Sequence, residues 1–180
     1  YMKQGVPIIC SGSVCNNKEK TFGICDIIIR SDYISKVFEN LDQDLYLTKF
    51  SEQYNCQEQY IPAPKLDTPF HYRVIDIKYS TLLLACDGMG LLNSDKGPVY
   101  KSQLYIYNNA LNEMQGYKSN FAYILGRKWS FRKNGKQMTG NKCNSRLGVV
   151  DFSSERDSFI SKKVNKAIKW YRDLNEFGNE

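Results

Sequence analysis

Residues 72–80, YRVIDIKYS, are rich in β-branched and aromatic side chains, which is typical of a buried strand, yet they include an aspartate and a lysine two positions apart. Side chains alternate between the two faces of a strand, so Asp76 and Lys78 should share one face while Ile75 and Ile77 share the other. Burying an unpaired charge costs free energy. We therefore expect the isoleucine face to join the core and the Asp76–Lys78 face to border a solvated or metal-binding cleft.

A second apolar stretch, residues 21–30 (TFGICDIIIR), also contains a single acid in mid-strand. Strict alternation predicts that Ile24, Asp26 and Ile28 share one face of this strand. If the two strands are neighbours in one sheet, the carboxylates of Asp26 and Asp76 can converge on one point.

Two carboxylates at such a point suit Mg²⁺ or Mn²⁺, hard cations that take oxygen ligands and also bind substrate phosphate. A lysine beside the cation, here Lys78, can hold or polarise an attacking water. The pattern predicts metal-assisted phosphodiester hydrolysis. The simpler alternative is that Asp76 and Lys78 form an ion pair on a partly exposed sheet, with Asp26 capping the end of its strand.

The order of the remaining elements predicts a single α/β domain over residues 1–180, with a mixed central sheet flanked by helices. A polar turn at 15–20 favours a hairpin, Pro98 and Gly116 favour a helix between them, and the Asn134–Gly135 pair favours a second hairpin. Residues 31–70, where Ser31 could cap a short helix, are predicted to be an insertion between core strands. The predicted strands are 6–14, 21–30, 70–80, 81–86 and 121–129 plus one after the second turn, and the predicted helices are 98–116 and about 153–177.

Composition and charge narrow the class of protein. The formal charge of +6 favours an anionic partner such as nucleic acid, although a basic surface kept for solubility explains it almost as well. No apolar run approaches the roughly 20 residues of a membrane span. The six cysteines include no C-x-x-C pair, which favours a reducing intracellular compartment and small buried thiols over a zinc or iron–sulfur site. Tyr1 precedes Met2, so we expect a piece of a longer polypeptide with further domains.

Three short motifs, GICD (23–26), VIDIK (74–78) and QLYIY (103–107), together resemble the PD-(D/E)XK nuclease superfamily, specifically its RecB-type exonuclease-like branch. The resemblance implies a restriction-endonuclease-like fold and a DNA substrate in preference to RNA. It also implies that Asp26, Asp76 and the backbone carbonyl of Ile77 bind Mg²⁺ or Mn²⁺, and that Lys78 is the catalytic lysine.

The same resemblance implies that Gln103 and Tyr107, four residues apart on one helical face, lie near the site and the substrate strand. The sequence departs from the superfamily pattern in two ways. Cys25 stands where the superfamily motif has proline, and the family's usual acid or histidine on a helix before the first strand would precede Tyr1. The second departure motivates the alternative function, a catalytically inactive nuclease-like domain that binds nucleic acid or a partner protein.

The sequence gives weaker support to the remaining candidate functional residues. His71 is the only histidine and is expected to be structural. Residues 127–136 gather basic side chains with Trp129 and Phe131 interleaved, which favours phosphate contact and base stacking about as strongly as a solvated hairpin. Within and near this segment we expect Arg127, Lys128 and, on the preceding helix, Lys101 to bind nucleic acid.

Overall fold

The computed structural model describes residues 1–38, 61–142 and 145–178. The chain begins with an antiparallel hairpin, β1 (Ile8–Asn16) and β2 (Thr21–Arg30), as predicted. A 3-10 turn at Ser31–Tyr33 leads into the short helix α1 (Ile34–Phe38). Ser31 lies inside that turn and Arg30 precedes it without a side-chain cap, so the predicted capping role of Ser31 is wrong. Most of the predicted insertion, residues 39–60, lies outside the described residues.

The sequence 72–83 forms one continuous strand, β3 (Tyr72–Leu83), in place of the two predicted strands. A register shift between Lys78 and Thr81 marks an irregularity in its pairing with the neighbouring strand. Helix α2 (Gly97–Gln115) follows, with proline in its first turn and Gly116 in the left-handed conformation at its end. The predicted helix boundaries, marked by Pro98 and Gly116, are confirmed.

The strand after α2 is β4 (Phe121–Lys133), which pairs parallel to β3. Its second half pairs with β5 (Lys136–Gly140) across the predicted Asn134–Gly135 turn. Its first half pairs antiparallel with β6 (Leu147–Asp151), a strand that the sequence reasoning missed. The last element is helix α3 (Ser158–Phe177).

These strands form one mixed sheet of six, in the order β1-β2-β3-β4, with β5 and β6 both pairing with β4. The predicted α/β class and mixed central sheet are confirmed. Both long helices pack on one face, where Leu104 and Leu111 of α2 and Ile160 of α3 join the larger core cluster. A smaller cluster on the other face includes Ile75 and Tyr123.

Alternation in β3 places Val74 in the cluster under α2 and Ile75 in the cluster on the opposite face, as predicted. Ile77, however, is 48% exposed, so only the first half of the isoleucine face belongs to the core. The core cluster on this face includes Ile75 but not Ile77, the next residue of β3 that points the same way. The expectation that Ile77 is a core residue is therefore wrong.

Two further observations bear on the predicted class of protein. No helix within 1–38, 61–142 and 145–178 is long and apolar enough to cross a membrane. Four cysteines are described, and none of them forms a disulfide. Only Cys25 is buried, whereas the other three are exposed, so the expectation of buried thiols fails for those three (Cys10, Cys15 and Cys86).

Candidate active site

Asp76 and Lys78 project from the same face of β3, as the strand alternation predicted, and that face lies toward α2. The Asp76 residue is 2% exposed, and its Oδ2 lies 2.6 Å from the Nζ of Lys78. The contact is not aligned as a hydrogen bond, so Oδ2 is a buried oxygen without a hydrogen-bond donor among the described residues. A buried carboxylate oxygen in this state can accept a cation as well as the lysine.

Asp26 comes to the same place from β2. The β2–β3 ladder runs from Arg30–Tyr72 to Ile27–Ile75, and the next residue on β2 is Asp26. Beyond this point the strands are no longer paired, and Asp26 Oδ2 instead accepts a hydrogen bond of 2.7 Å from the backbone N–H of Ile77. The carboxylate thus closes the end of the ladder while remaining exposed to solvent. The backbone group of Ile77 that contacts Asp26 is its amide.

An irregularity in the first hairpin changes the orientation of side chains around Asp26. Ser11, which lies between the β1 positions paired with Ile27 and Cys25, has a φ of 51°. Cys25 and Ile28 both join the core cluster under α2, although strict alternation would place them on opposite faces. The predicted alternation of β2 is therefore wrong at this point, because a local break in the pleat changes which way neighbouring residues face.

Gln103 and Tyr107 extend the site onto α2. Lys78 Nζ donates to Gln103 Oε1 at 2.8 Å, and Gln103 Nε2 donates to the Tyr107 hydroxyl at 2.8 Å. The ammonium group of Lys78 also lies 5.4 Å from the centre of the Tyr100 ring. The sequence reasoning did not select Tyr100, although its position three residues before Gln103 places it on the same helical face.

Gly23, the first residue of the GICD motif, has a packing role. A Cβ at this position would lie 2.2 Å from Cε1 of Tyr107, so no side chain fits without moving the ring. The glycine of the β2 motif and the tyrosine of the α2 motif are therefore in direct contact. This contact fixes the distance between β2 and the helix that carries Gln103.

The electrostatics of the site follow from burial. Burial raises the pKa of the Asp76 carboxyl, the nearby Lys78 ammonium opposes this, and the Asp26 carboxyl raises it further. Burial, reinforced by the charges of Asp76 and Asp26, also raises the pKa of the Cys25 thiol to about 12. Cys25 is therefore a neutral, apolar neighbour of the acids at neutral pH.

The donor set fits a hard cation. Two carboxylates from adjacent strands are the side-chain oxygens that Mg²⁺ or Mn²⁺ uses, with water and phosphate completing the coordination. The buried Oδ2 of Asp76, which is paired with the Lys78 ammonium at 2.6 Å, is the ligand atom that Asp76 would offer. Within the described residues no group of three or more histidine, cysteine, aspartate or glutamate side chains could hold a metal ion, so water and substrate oxygens would have to complete coordination by the two acids.

The predicted nucleic-acid contacts have different outcomes. Lys101 is fully buried, and its ammonium donates to Leu91 O, Asn93 Oδ1 and Asp157 Oδ1 at 2.5–2.7 Å. The prediction that Lys101 binds nucleic acid is therefore wrong, because the ammonium is enclosed where α2 meets α3. Arg127 is exposed and lies over the Tyr79 ring, and Lys128 is half-buried.

His71 is structural, as predicted. It is fully buried, with Nδ1 placed 3.0 Å from Ile61 O and Nε2 accepting from Arg73 Nε at 3.1 Å. Burial and the adjacent Arg73 charge lower its pKa to about 3. The histidine is therefore neutral at physiological pH.

Comparison with known proteins gives no family. No protein-family model matches the sequence, and no curated protein matches it significantly.

Proposed function

We propose that this protein is a divalent-metal-dependent nuclease of the PD-(D/E)XK type that hydrolyses phosphodiester bonds in DNA. The observation that carries the proposal is the convergence of side chains from three separated motifs. Asp26 on β2, Asp76 and Lys78 on β3, and Gln103 on α2 meet where the β2–β3 ladder ends. The simpler alternative, an ion pair between Asp76 and Lys78 with Asp26 as a strand cap, accounts for two of these contacts but not for the contact between Lys78 and Gln103.

In this proposal Asp26 and Asp76 hold the cation. When bound, Mg²⁺ or Mn²⁺ supplies Lewis-acid polarisation of the scissile phosphate and lowers the pKa of a bound water. Asp76 contributes a nearly buried carboxylate whose desolvation favours pairing with positive charge, and Asp26 contributes an exposed one that faces solvent.

Lys78 has the geometry of a positioning and charge-stabilising group. Its side chain is 19% exposed, so water and a phosphate can reach it. Gln103 accepts one of its three N–H donors and holds the ammonium beside Asp76, while Tyr107 in turn fixes Gln103. A preorganised ammonium can orient the attacking water and stabilise the negative charge that develops on the phosphate.

The direct test is cleavage of end-labelled single- and double-stranded DNA, linear and circular, in Mn²⁺, Mg²⁺ or EDTA. Wild type should cut only with metal. Asp76→Ala and Lys78→Ala should reduce the rate by at least a hundredfold, because each removes a group that acts in the transition state. Asp173→Ala, which removes an exposed acid on α3, is the matched control and should cut at the wild-type rate.

The outcomes separate the candidate functions. Full activity in Lys78→Ala would overturn the mechanism. Intact substrate in every lane together with a band shift on a native gel would instead identify a binding module without catalysis. Cutting of circular as well as linear DNA would identify an endonuclease, and a parallel assay with labelled RNA tests the choice of DNA.

A further inference from the structure

The positive charge of this protein is concentrated in one stretch of the chain. Residues 114–150 contain eight of the 25 lysine and arginine residues and none of the 19 acids. The other residues together therefore have a formal charge of −2, although the whole chain has +6. Most of this stretch is β4, β5 and the turn between them.

The β4–β5 hairpin carries this charge away from the sheet. Every residue from 132 to 139 is exposed, and a Cβ added at Gly135 would meet no atom within 4 Å. Asn134 and Gly135 have φ values of 50° and 77°, as in the tight turns that match the twist of a two-stranded ribbon. The ribbon therefore ends in open space.

Three cations at the tip of this ribbon have no acidic partner among the residues that the structure describes. Lys133 and Lys136 are directly paired across the two strands, and Arg132 pairs with Gln137. No carboxylate of the described residues forms a salt bridge with any of the three. Two like charges placed opposite each other destabilise a hairpin. An anion bound between them would remove that cost.

The two faces of the ribbon are both cationic. Directly paired residues share a face, so Lys133 and Lys136 lie on one side and Arg132 lies on the other. The aromatic side chains of β4 do not contribute to this surface. Phe131 is 7% exposed, and Trp129 packs on Gly140 and donates to Ser145 Oγ. The base-stacking role predicted for this segment is therefore wrong for Phe131, whereas the partly exposed Trp129 is held by its contacts within the sheet.

We propose that the β4–β5 hairpin enters a groove of double-stranded DNA and binds phosphates on both sides of it. This inference rests on the proposed function, since it names the form of the substrate. A two-stranded ribbon fits the major groove, and cations on both faces suit the two phosphate backbones that border a groove. Single strands, in contrast, are bound with exposed aromatic rings on which bases stack, and the ribbon tip offers none.

The position of the hairpin relative to the candidate active site defines the arrangement of the substrate. Gly126 on β4 pairs with Lys78, and Lys133 lies seven residues further along the same strand. At about 3.3 Å per residue the tip is about 23 Å from the site, or roughly seven base pairs of duplex. We therefore expect a duplex region to extend about seven base pairs beyond the cleaved bond.

The test measures binding without cleavage. Fluorescence anisotropy with a 30-base-pair duplex and with one of its strands, in EDTA and in the Asp76→Ala background, gives the affinity at several salt concentrations. The test variant combines Arg132→Gln, Lys133→Gln and Lys136→Gln. The control removes the same charge from exposed positions of α3, as Lys162→Gln, Lys166→Gln and Lys169→Gln.

The hairpin variant should bind duplex at least tenfold more weakly at 0.1 M salt. The slope of log K against log salt should fall by about 2 to 3, which is the loss expected for three phosphate contacts. The α3 control should change duplex affinity by less than twofold. Lys136→Glu alone should also weaken duplex binding, and because it places an opposite charge beside Lys133 it cannot do so by destabilising the hairpin.

Equal losses in the hairpin and control variants would overturn the proposal, because they would show a general effect of net charge. A loss for the single strand with unchanged duplex binding would also overturn it. These results are independent of catalysis. If wild type proves unable to cleave DNA but the two variants differ as stated, the nuclease proposal fails and the duplex-binding hairpin stands.

Discussion

A single buried histidine makes the stability of this domain depend on pH. His71 is enclosed with its two ring nitrogens facing a carbonyl and the Arg73 guanidinium, so the protonated ring has no favourable arrangement. Its pKa is lowered from 6.5 to about 3. The unfolded chain therefore binds a proton below pH 6.5 that the folded protein does not, and folding free energy is lost as pH falls from 6.5 toward 3.

We expect wild type to lose about 1.5–2 kcal/mol of unfolding free energy through His71 between pH 6.5 and pH 5. His71→Gln keeps a polar side chain but has no titrating ring, so the variant should be less stable overall and less sensitive to acid. Urea unfolding of both proteins at the two pH values measures the difference. The same loss on acidification in wild type and variant would show that His71 does not titrate in this range.

At the scale of elements, the contact between Gly23 on β2 and Tyr107 on α2 sets the position of Gln103. Gly23→Ala should cost about 1–3 kcal/mol, because the added methyl group overlaps the tyrosine ring, and it should slow cleavage by displacing Gln103 from Lys78. In a Tyr107→Ala background the same substitution should cost less than about 0.5 kcal/mol. A double-mutant cycle measures this coupling, and an equal cost in both backgrounds would exclude the contact as the cause.

The elements were predictable wherever one local rule dominated. Pro98 and Gly116 bounded α2, and Asn134–Gly135 identified the β4–β5 turn. β6 was missed because its five residues are short and apolar without alternation, so only pairing with β4 distinguishes them from a loop. The orientation of side chains near Asp26 was mispredicted because it depends on the positive φ of Ser11, a residue whose sequence context gives no such signal.

At the scale of the whole molecule, the sequence does not show which charged residues are buried. Strand alternation placed Asp76 and Lys78 on one face, and motif order suggested that Asp26 converges with them. Lys101 was predicted to bind nucleic acid, which requires exposure, but the packing of α2 against α3 encloses it beside Asp157. The basic hairpin was recognised from the sequence, whereas the exposure of its aromatic neighbours depends on contacts across the sheet.

The free energy of unfolding should depend on whether a cation occupies the candidate metal site. Burial raises the pKa of Asp76 and so disfavours its ionised form, and a bound cation would offset that cost in the folded protein alone. Asp76→Asn removes the ligand, together with the cost of the buried carboxylate and the counter-charge of Lys78. Saturating Mn²⁺ should therefore stabilise wild type by about 2.7 kcal/mol at a hundred times the Kd and leave the stability of the variant unchanged.

Thermal unfolding in EDTA and in increasing Mn²⁺ tests this difference, with Asp173→Asn as a control that should follow wild type. The response to Mn²⁺ distinguishes a metal ligand from a purely structural ion pair, because Asp76→Asn removes the ion pair with Lys78 in either case. If Asp76 served only to neutralise Lys78, wild type and Asp76→Asn would respond to Mn²⁺ alike. Mn²⁺ would then raise the unfolding temperature of neither protein, and the metal-binding role of Asp76 would have to be abandoned.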